Sequence, residues 1–197
     1  MPMLDYIAFA VALLCSVACA AFLLPWLLRF CHKHALYDLP NERKMHKTNI
    51  PRLGGTIFLP AMLTGGGAAV VVSNLFGIGI HEIGISSIAI MVGLLIIYLT
   101  GLYDDLFGMR AKPKFLLQLV AASIMPAFGL YTNDLQGLAG MHHLAPFVAY
   151  PITIFLVLLV VNSINLIDGI DGLAASLCII TLIGFAVLFA HLTLWIF

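Results

Sequence analysis

The sequence predicts an all-α membrane protein, a polytopic bundle of about six transmembrane helices with its chemistry on the loops of one face. Three observations carry that prediction. The chain of 197 residues is 62% hydrophobic and only 9% charged, with a mean hydropathy of +1.11, more apolar surface than a soluble domain of this size can hide. Its apolar runs are of membrane-spanning length and lack strand alternation, so they are helices rather than barrel strands. All nine Lys and Arg residues fall in or beside two of the connections between these runs, as the positive-inside rule requires of cytoplasmic loops.

The first span is expected over Tyr6–Phe30. No basic region precedes it and it is long enough to cross, so it reads as a retained helix rather than a cleaved signal. The first connection runs D-L-P-N-E-R-K-M-H-K-T-N-I-P-R-L-G-G from Asp38 to Gly55. Arg43, Lys44, Lys47 and Arg52 surround His46, a composition suited to anionic lipid or to a phosphate-bearing substrate. Pro40 and Pro51 stiffen the loop, and Gly54-Gly55 lets the next helix enter closely packed. The second span, Leu53–Ser73, contains Thr64-Gly65-Gly66-Gly67. With no lysine after it and a mid-span position, this triplet is read as close helix packing or a kink rather than a phosphate loop.

The third span, Ile83–Tyr103, ends on G-L-Y-D-D-L-F-G-M-R-A-K-P-K, Gly101 to Lys114. Adjacent Asp104 and Asp105 repel one another and want a cation beside them. Mg²⁺ suits such a pair, because it keeps waters and adds substrate phosphates to one or two carboxylates. The competing reading is an acidic helix end neutralised by Arg110, Lys112 and Lys114. A fourth span follows over Phe115–Tyr131, then an outer loop whose vicinal His142-His143 do not share a helical face. The fifth span, Phe147–Val161, runs on towards Asn165, and the sixth is Leu173–Phe197. Cys15, Cys19, Cys31 and Cys178 lie in or beside apolar runs with no C-x-x-C pair, and are read as small packing or lipid-facing residues. There is no internal repeat, low-complexity tract or soluble domain.

The fifth connection, N-S-I-N-L-I-D-G-I-D-G-L-A, places Asn162, Asn165, Asp168 and Asp171 at every third position. On an α-helix a step of three falls about 60° short of a full turn, so the four groups fan out unless a helix end or a 3₁₀ turn gathers them. Acids at the end of a membrane-length run are costly and mark function. Orientation puts connections one, three and five on the cytoplasmic side and the N-terminus outside. Polar side chains from three loops thus converge on one face.

Together, D-L-P-N-E-R-K-M-H…P-R-L-G-G, G-L-Y-D-D-L-F-G…K-P-K-F and N-S-I-N-L-I-D-G-I-D-G-L-A resemble the polyprenyl-phosphate N-acetylhexosamine-1-phosphate transferases. That family, glycosyltransferase family 4, includes the bacterial enzymes that initiate O-antigen, common-antigen, teichoic-acid and peptidoglycan lipid intermediates. The first loop is most similar to the UDP-N-acetylglucosamine branch. The resemblance implies transfer of a sugar 1-phosphate from a UDP-N-acetylhexosamine to undecaprenyl phosphate, releasing UMP. It implies Mg²⁺, with Mn²⁺ as a substitute, and a multi-pass protein of the bacterial inner membrane. Asp104 and Asp105 match the family's aspartate pair, which handles the lipid phosphate or organises the metal. Asn165 matches a residue touching the metal, alongside Asp105. Asp168 and Asp171 match acids of the nucleotide-sugar site, Lys114 matches a phosphate-side lysine, and Asn162 and Arg52 complete the expected substrate-binding set. The expected partners are the two substrates and membrane lipids, with a homodimer as a candidate assembly and no nucleic acid.

The resemblance covers the family's N-terminal half. Two further cytoplasmic motifs of the family, a G-D-x-G-type loop and a histidine-rich loop, have no counterpart in residues 1–197. Residues 1–197 are therefore expected to be a single integral membrane domain, the N-terminal portion of a longer transferase, inactive alone. Its main rival is a non-catalytic membrane protein that binds polyprenyl phosphate or nucleotide sugar. A CDP-alcohol phosphotransferase is disfavoured because its arginine and final acid are missing after Asp171. A transporter is disfavoured because these acids sit at span ends rather than inside spans.

Overall fold

The computed structural model describes residues 2–38, 50–77, 84–137, 140, 142–168 and 172–195. Six long helices account for most of them: α1 (Pro2–His34), α2 (Phe58–Leu75), α3 (Ile85–Phe107), α4 (Ala111–Ala127), α5 (Pro146–Ile167) and α6 (Leu173–Trp195). Between α1 and α2 lie a two-residue antiparallel ladder, β1 (Tyr37–Asp38) with β2 (Ile50–Pro51), and a 3₁₀ turn, Arg52–Ile57. Among the described residues, four helical segments are long and apolar enough to cross a membrane: Tyr6–His34, Leu53–Leu75, Ile85–Phe107 and Pro146–Ile167. α6 runs for 23 residues, and its stretch Leu173–Leu188 is apolar. The fourth expected span is α4, whose 17 residues rise about 25 Å.

The chain forms two compact units. One comprises Met1–Asp38 with Ile50–Leu156, the other Leu39–Asn49 with Val157–Phe197. In the first unit α1 packs along α2, and α3 along α4. Lipid offers no hydrophobic drive for this, so the helices meet where small residues let backbones approach. The buried positions accordingly include Ala8, Ala61, Gly65, Ala89, Gly93, Ala121 and Ala122, while large side chains such as Phe9, Phe22 and Phe155 point outward. Of the glycine triplet only Gly65 is needed for packing. A methyl group there would strike Ser16 Oγ and come 2.8 Å from the Ala12 carbonyl, whereas Gly66 and Gly67 have open space around the same position.

Helix ends follow their local sequence. α4 begins four residues before the expected span, because Pro113 sits in its first turn, where no backbone N–H partner is required. It ends on Gly129 (φ +85°), with Leu130 N–H donating to Met125 O at 2.9 Å and Gly129 N–H to Pro126 O at 3.2 Å, a Schellman cap. α1 closes the same way, but on Ala35 (φ +51°), with Leu36 N–H donating to Cys31 O at 3.0 Å.

One apolar cluster ties the polar end of the first unit together. Leu27, Cys31 and Leu53 are buried, and Phe30, Leu36, Ile57, Leu102 and Leu106 pack against them. The 3₁₀ turn is thereby wedged between the end of α1 and the end of α3.

Candidate active site

The site residues of the first unit depend on that wedge. Pro51 holds an extended conformation (φ −60°, ψ 130°) and turns the chain into Arg52–Ile57. Thr56 Oγ1 donates to Leu53 O at 2.7 Å, and Tyr98 Oη on α3 donates to Thr56 O at 3.2 Å. The backbone of Arg52 is thus carried by Leu53 against Leu102 and Leu106, the residues that bracket Asp104 and Asp105. The 3₁₀ turn that closes the first connection packs against the end of α3, and Tyr98, which sequence reasoning missed, latches the two. Its only signal was a tyrosine two turns before an acidic pair.

Asp104 and Asp105 lie in the last turn of α3, half-buried. A helix C-terminus carries partial negative charge and disfavours acids. Lys114 stands in the first turn of α4, where the dipole disfavours cations. Each is misplaced for its own helix and suited to the other. Lys114 Nζ lies 2.7 Å from Asp104 Oδ2, with about a quarter of each side chain exposed. Asp104 Oδ1 accepts the Met109 N–H at 2.8 Å, and the Asp104 carbonyl accepts the Gly108 N–H at 2.9 Å. Gly108 (φ +72°) takes the left-handed conformation this turn needs. Asp104 therefore builds the α3–α4 turn and holds the lysine. Arg110 and Lys112 flank the same α4 N-terminus, whose unpaired N–H groups favour anions. One turn further, Gln118 is 5% exposed, a buried polar group the sequence reading passed over.

In the second unit α5 stays α-helical to Ile167. Asn162 and Asn165 are therefore fanned rather than gathered by a 3₁₀ turn, and the helix end supplies the remaining direction. Asn162 is half-buried, with Nδ2 donating to Leu158 O at 2.8 Å. Asn165 is exposed, and Asp168 is exposed on the turn that ends the helix, its N–H donating to Ile164 O at 3.0 Å. Asp171 lies outside the described residues. Gly172 (φ +74°) opens α6, and Ser176 Oγ donates to its carbonyl at 2.7 Å.

Among the described residues no group of three or more His, Cys, Asp or Glu side chains converges as a metal cage. The donors nonetheless fit Mg²⁺, which takes one or two carboxylate oxygens and completes its shell with waters and phosphates. In the first unit the candidate donor is Asp105; in the second it is Asn165.

Apolar helices with acids, amides and cations at their ends define a multi-spanning helical membrane protein with polar chemistry at the bilayer surface. The family model for glycosyl transferase family 4 matches residues 87–196, more than half of the chain. The chain belongs to that family. It is 35% identical over 184 residues to a Bacillus subtilis (strain 168) protein named "Probable undecaprenyl-phosphate N-acetylglucosaminyl 1-phosphate transferase", covering 92% of this chain and 48% of that protein. It is 30% identical over 155 residues to a Mycolicibacterium smegmatis decaprenyl-phosphate N-acetylglucosaminephosphotransferase, covering 75% of this chain and 37% of the relative. For the Mycobacterium tuberculosis protein of the same name the identity is 32% over 148 residues, covering 72% and 35%. The chain thus spans about half the length, or less, of the curated relatives it matches. No solved structure matches it.

Proposed function

We propose that this protein transfers N-acetylhexosamine 1-phosphate, with N-acetylglucosamine as the sugar, from a UDP-sugar to undecaprenyl phosphate in the bacterial inner membrane. An oxygen of the acceptor phosphate forms a bond to the sugar-bearing phosphorus. The bond from that phosphorus to the UMP oxygen breaks, and UMP leaves with the electron pair. The observation that carries the reading is the Lys114–Asp104 pair at 2.7 Å, set against both helix dipoles beside a second acid. Phosphoryl transfer asks a protein for positioning and charge neutralisation, and a fixed ammonium at a helix N-terminus supplies both to an incoming phosphate.

Lys114, with Arg52 from the adjoining turn, holds the acceptor phosphate. Asp105 serves as the acid facing the reaction and as the metal donor of the first unit, and Asn165 as the metal donor of the second. Asp168, Asp171 and Asn162 orient the nucleotide sugar. Mg²⁺, when bound, neutralises the pyrophosphate and the leaving UMP. The loops bearing these residues are cytoplasmic, where nucleotide sugars are available. The relatives' printed names, the family membership and the apolar helices support this reading.

The test measures UMP release from UDP-N-acetylglucosamine in membranes containing the chain, with undecaprenyl phosphate and Mg²⁺. The chain is assayed alone and with the C-terminal half of the Bacillus relative supplied. Release is expected to require the lipid, to cease on chelation by EDTA, and to fall at least a hundredfold in Asp105→Asn. Release that ignores the lipid, or an Asp105→Asn protein of full activity, would sink the assignment.

A further inference from the structure

α1 is longer than a bilayer is thick. Its 33 residues make about 50 Å of helix against about 30 Å of hydrocarbon. Two exposed aromatics on α1 are spaced to sit at the two bilayer interfaces: Tyr6, 55% exposed, and Trp26, 58% exposed. They stand twenty residues apart, about 30 Å along the axis, and Tyr and Trp are the residues that settle at the two bilayer interfaces.

Beyond Trp26 the helix continues for two turns with an unusual face. Phe30 stacks on Trp26 with ring centroids 5.8 Å apart, and His34 tilts against Phe30 at 4.6 Å. Arg29 and Lys33, three and seven residues after Trp26, fall on the same side of the helix, and both are exposed. Leu27 and Cys31, on the adjoining face, are the residues buried against Leu53. Arg29 Nε donates to Pro25 O at 3.2 Å, which steadies the guanidinium and leaves its two terminal amino groups for an outside acceptor. Among the described residues no acid pairs with Arg29 or Lys33.

The helix dipole accounts for cations in a last turn, but not for the aromatic ladder beside them or for their depth. Arg29 lies about 4.5 Å and Lys33 about 10 Å past Trp26 along the axis, the depth at which lipid phosphates begin. We propose that this end of α1 is a docking site for an anionic phospholipid of the surrounding bilayer. Arg29 and Lys33 take the phosphate, and Trp26 and Phe30 support the boundary between headgroup and acyl chain. The proposal rests on the membrane-spanning fold and is independent of the transferase reading.

The chain has two tryptophans, Trp26 and Trp195, so Trp195→Phe leaves Trp26 as the sole reporter. The full chain carrying that change is placed in vesicles of brominated phosphatidylglycerol mixed with plain phosphatidylcholine, and in the reverse pairing. Quenching of Trp26 then reads which lipid occupies the site. The anionic lipid is expected to win by roughly fivefold for each basic residue, and Arg29→Gln with Lys33→Gln is expected to bring the ratio to unity at unchanged helix content. If the double variant does not insert, Lys33→Gln alone is expected to lower the preference about fivefold. Equal quenching by the two lipids would overturn the proposal, as would a preference that survives the substitutions. Recovery of Trp26 emission when a few mole per cent of polyprenyl phosphate is added would also overturn it, by assigning the face to that lipid.

Discussion

Asp104 spends both carboxylate oxygens inside the protein, one on the Met109 N–H and one on Lys114. We propose that Asp104 is a positioning residue that acts through Lys114. Loss of one charge-assisted contact to phosphate is worth about 1.5–3 kcal/mol, so Lys114→Gln should lower kcat/KM for the acceptor lipid by about ten- to a hundredfold. Asp104→Asn should act through the same lysine. The double variant should then lose much less than the product of the single losses, since residues in direct contact couple by about 0.5–3 kcal/mol. A double-mutant cycle on UMP release measures this directly, and strictly multiplicative losses would refute the positioning role.

At the scale of elements, the α1–α2 contact is set by one glycine. Gly65→Val should separate the two helices and cost about 1–3 kcal/mol through overpacking, while Gly66→Ala should leave the pair intact and raise helix propensity. Thermal unfolding in detergent, followed by Cys31 accessibility, distinguishes the two, and equal effects would remove Gly65 from the interface. The α1 cap gives the opposite sign. Ala35 holds a left-handed conformation (φ +51°), which costs a residue with a Cβ about 1 kcal/mol, so Ala35→Gly should raise the melting temperature by a few degrees. These positions also show what the sequence could disclose. Apolar run length located all six helices, because membrane hydrocarbon demands about 20 apolar residues for each span. It read the triplet Gly65-Gly66-Gly67 only as a group, because which glycine faces a neighbour depends on helix rotation, and that is fixed by Ser16 on another helix. The acids, the amides and Lys114 were legible as residues stranded at span ends. The Asp104–Lys114 bond and the Tyr98 latch were not, since both depend on how the α3–α4 turn and the 3₁₀ turn close in space.

For the whole molecule, charge asymmetry decides which face carries the chemistry. All nine basic residues lie in or beside the first and third connections, so these connections should be cytoplasmic, and the fifth should share their side after two further crossings. That inference depends on α4 crossing the bilayer, although its 17 residues rise only about 25 Å. Two features favour a crossing. Its buried face of Ala121 and Ala122 packs along α3, and its basic first turn can reach the interface with the exposed Lys112 extended. The native cysteines Cys15, Cys19, Cys31 and Cys178 can be replaced by alanine and single cysteines introduced at Met109, Asn133 or Leu166. A membrane-impermeant maleimide added to intact cells should label only the Asn133→Cys protein. In inside-out vesicles it should label the Met109→Cys and Leu166→Cys proteins instead. Labelling of Asn133→Cys together with Met109→Cys would mean that α4 does not cross, and would separate the Asp104–Lys114 end from the side of the membrane assigned to it. Labelling of Leu166→Cys opposite Met109→Cys would place Asn165 and Asp168 across the bilayer from Asp105, and no single site could then contain them.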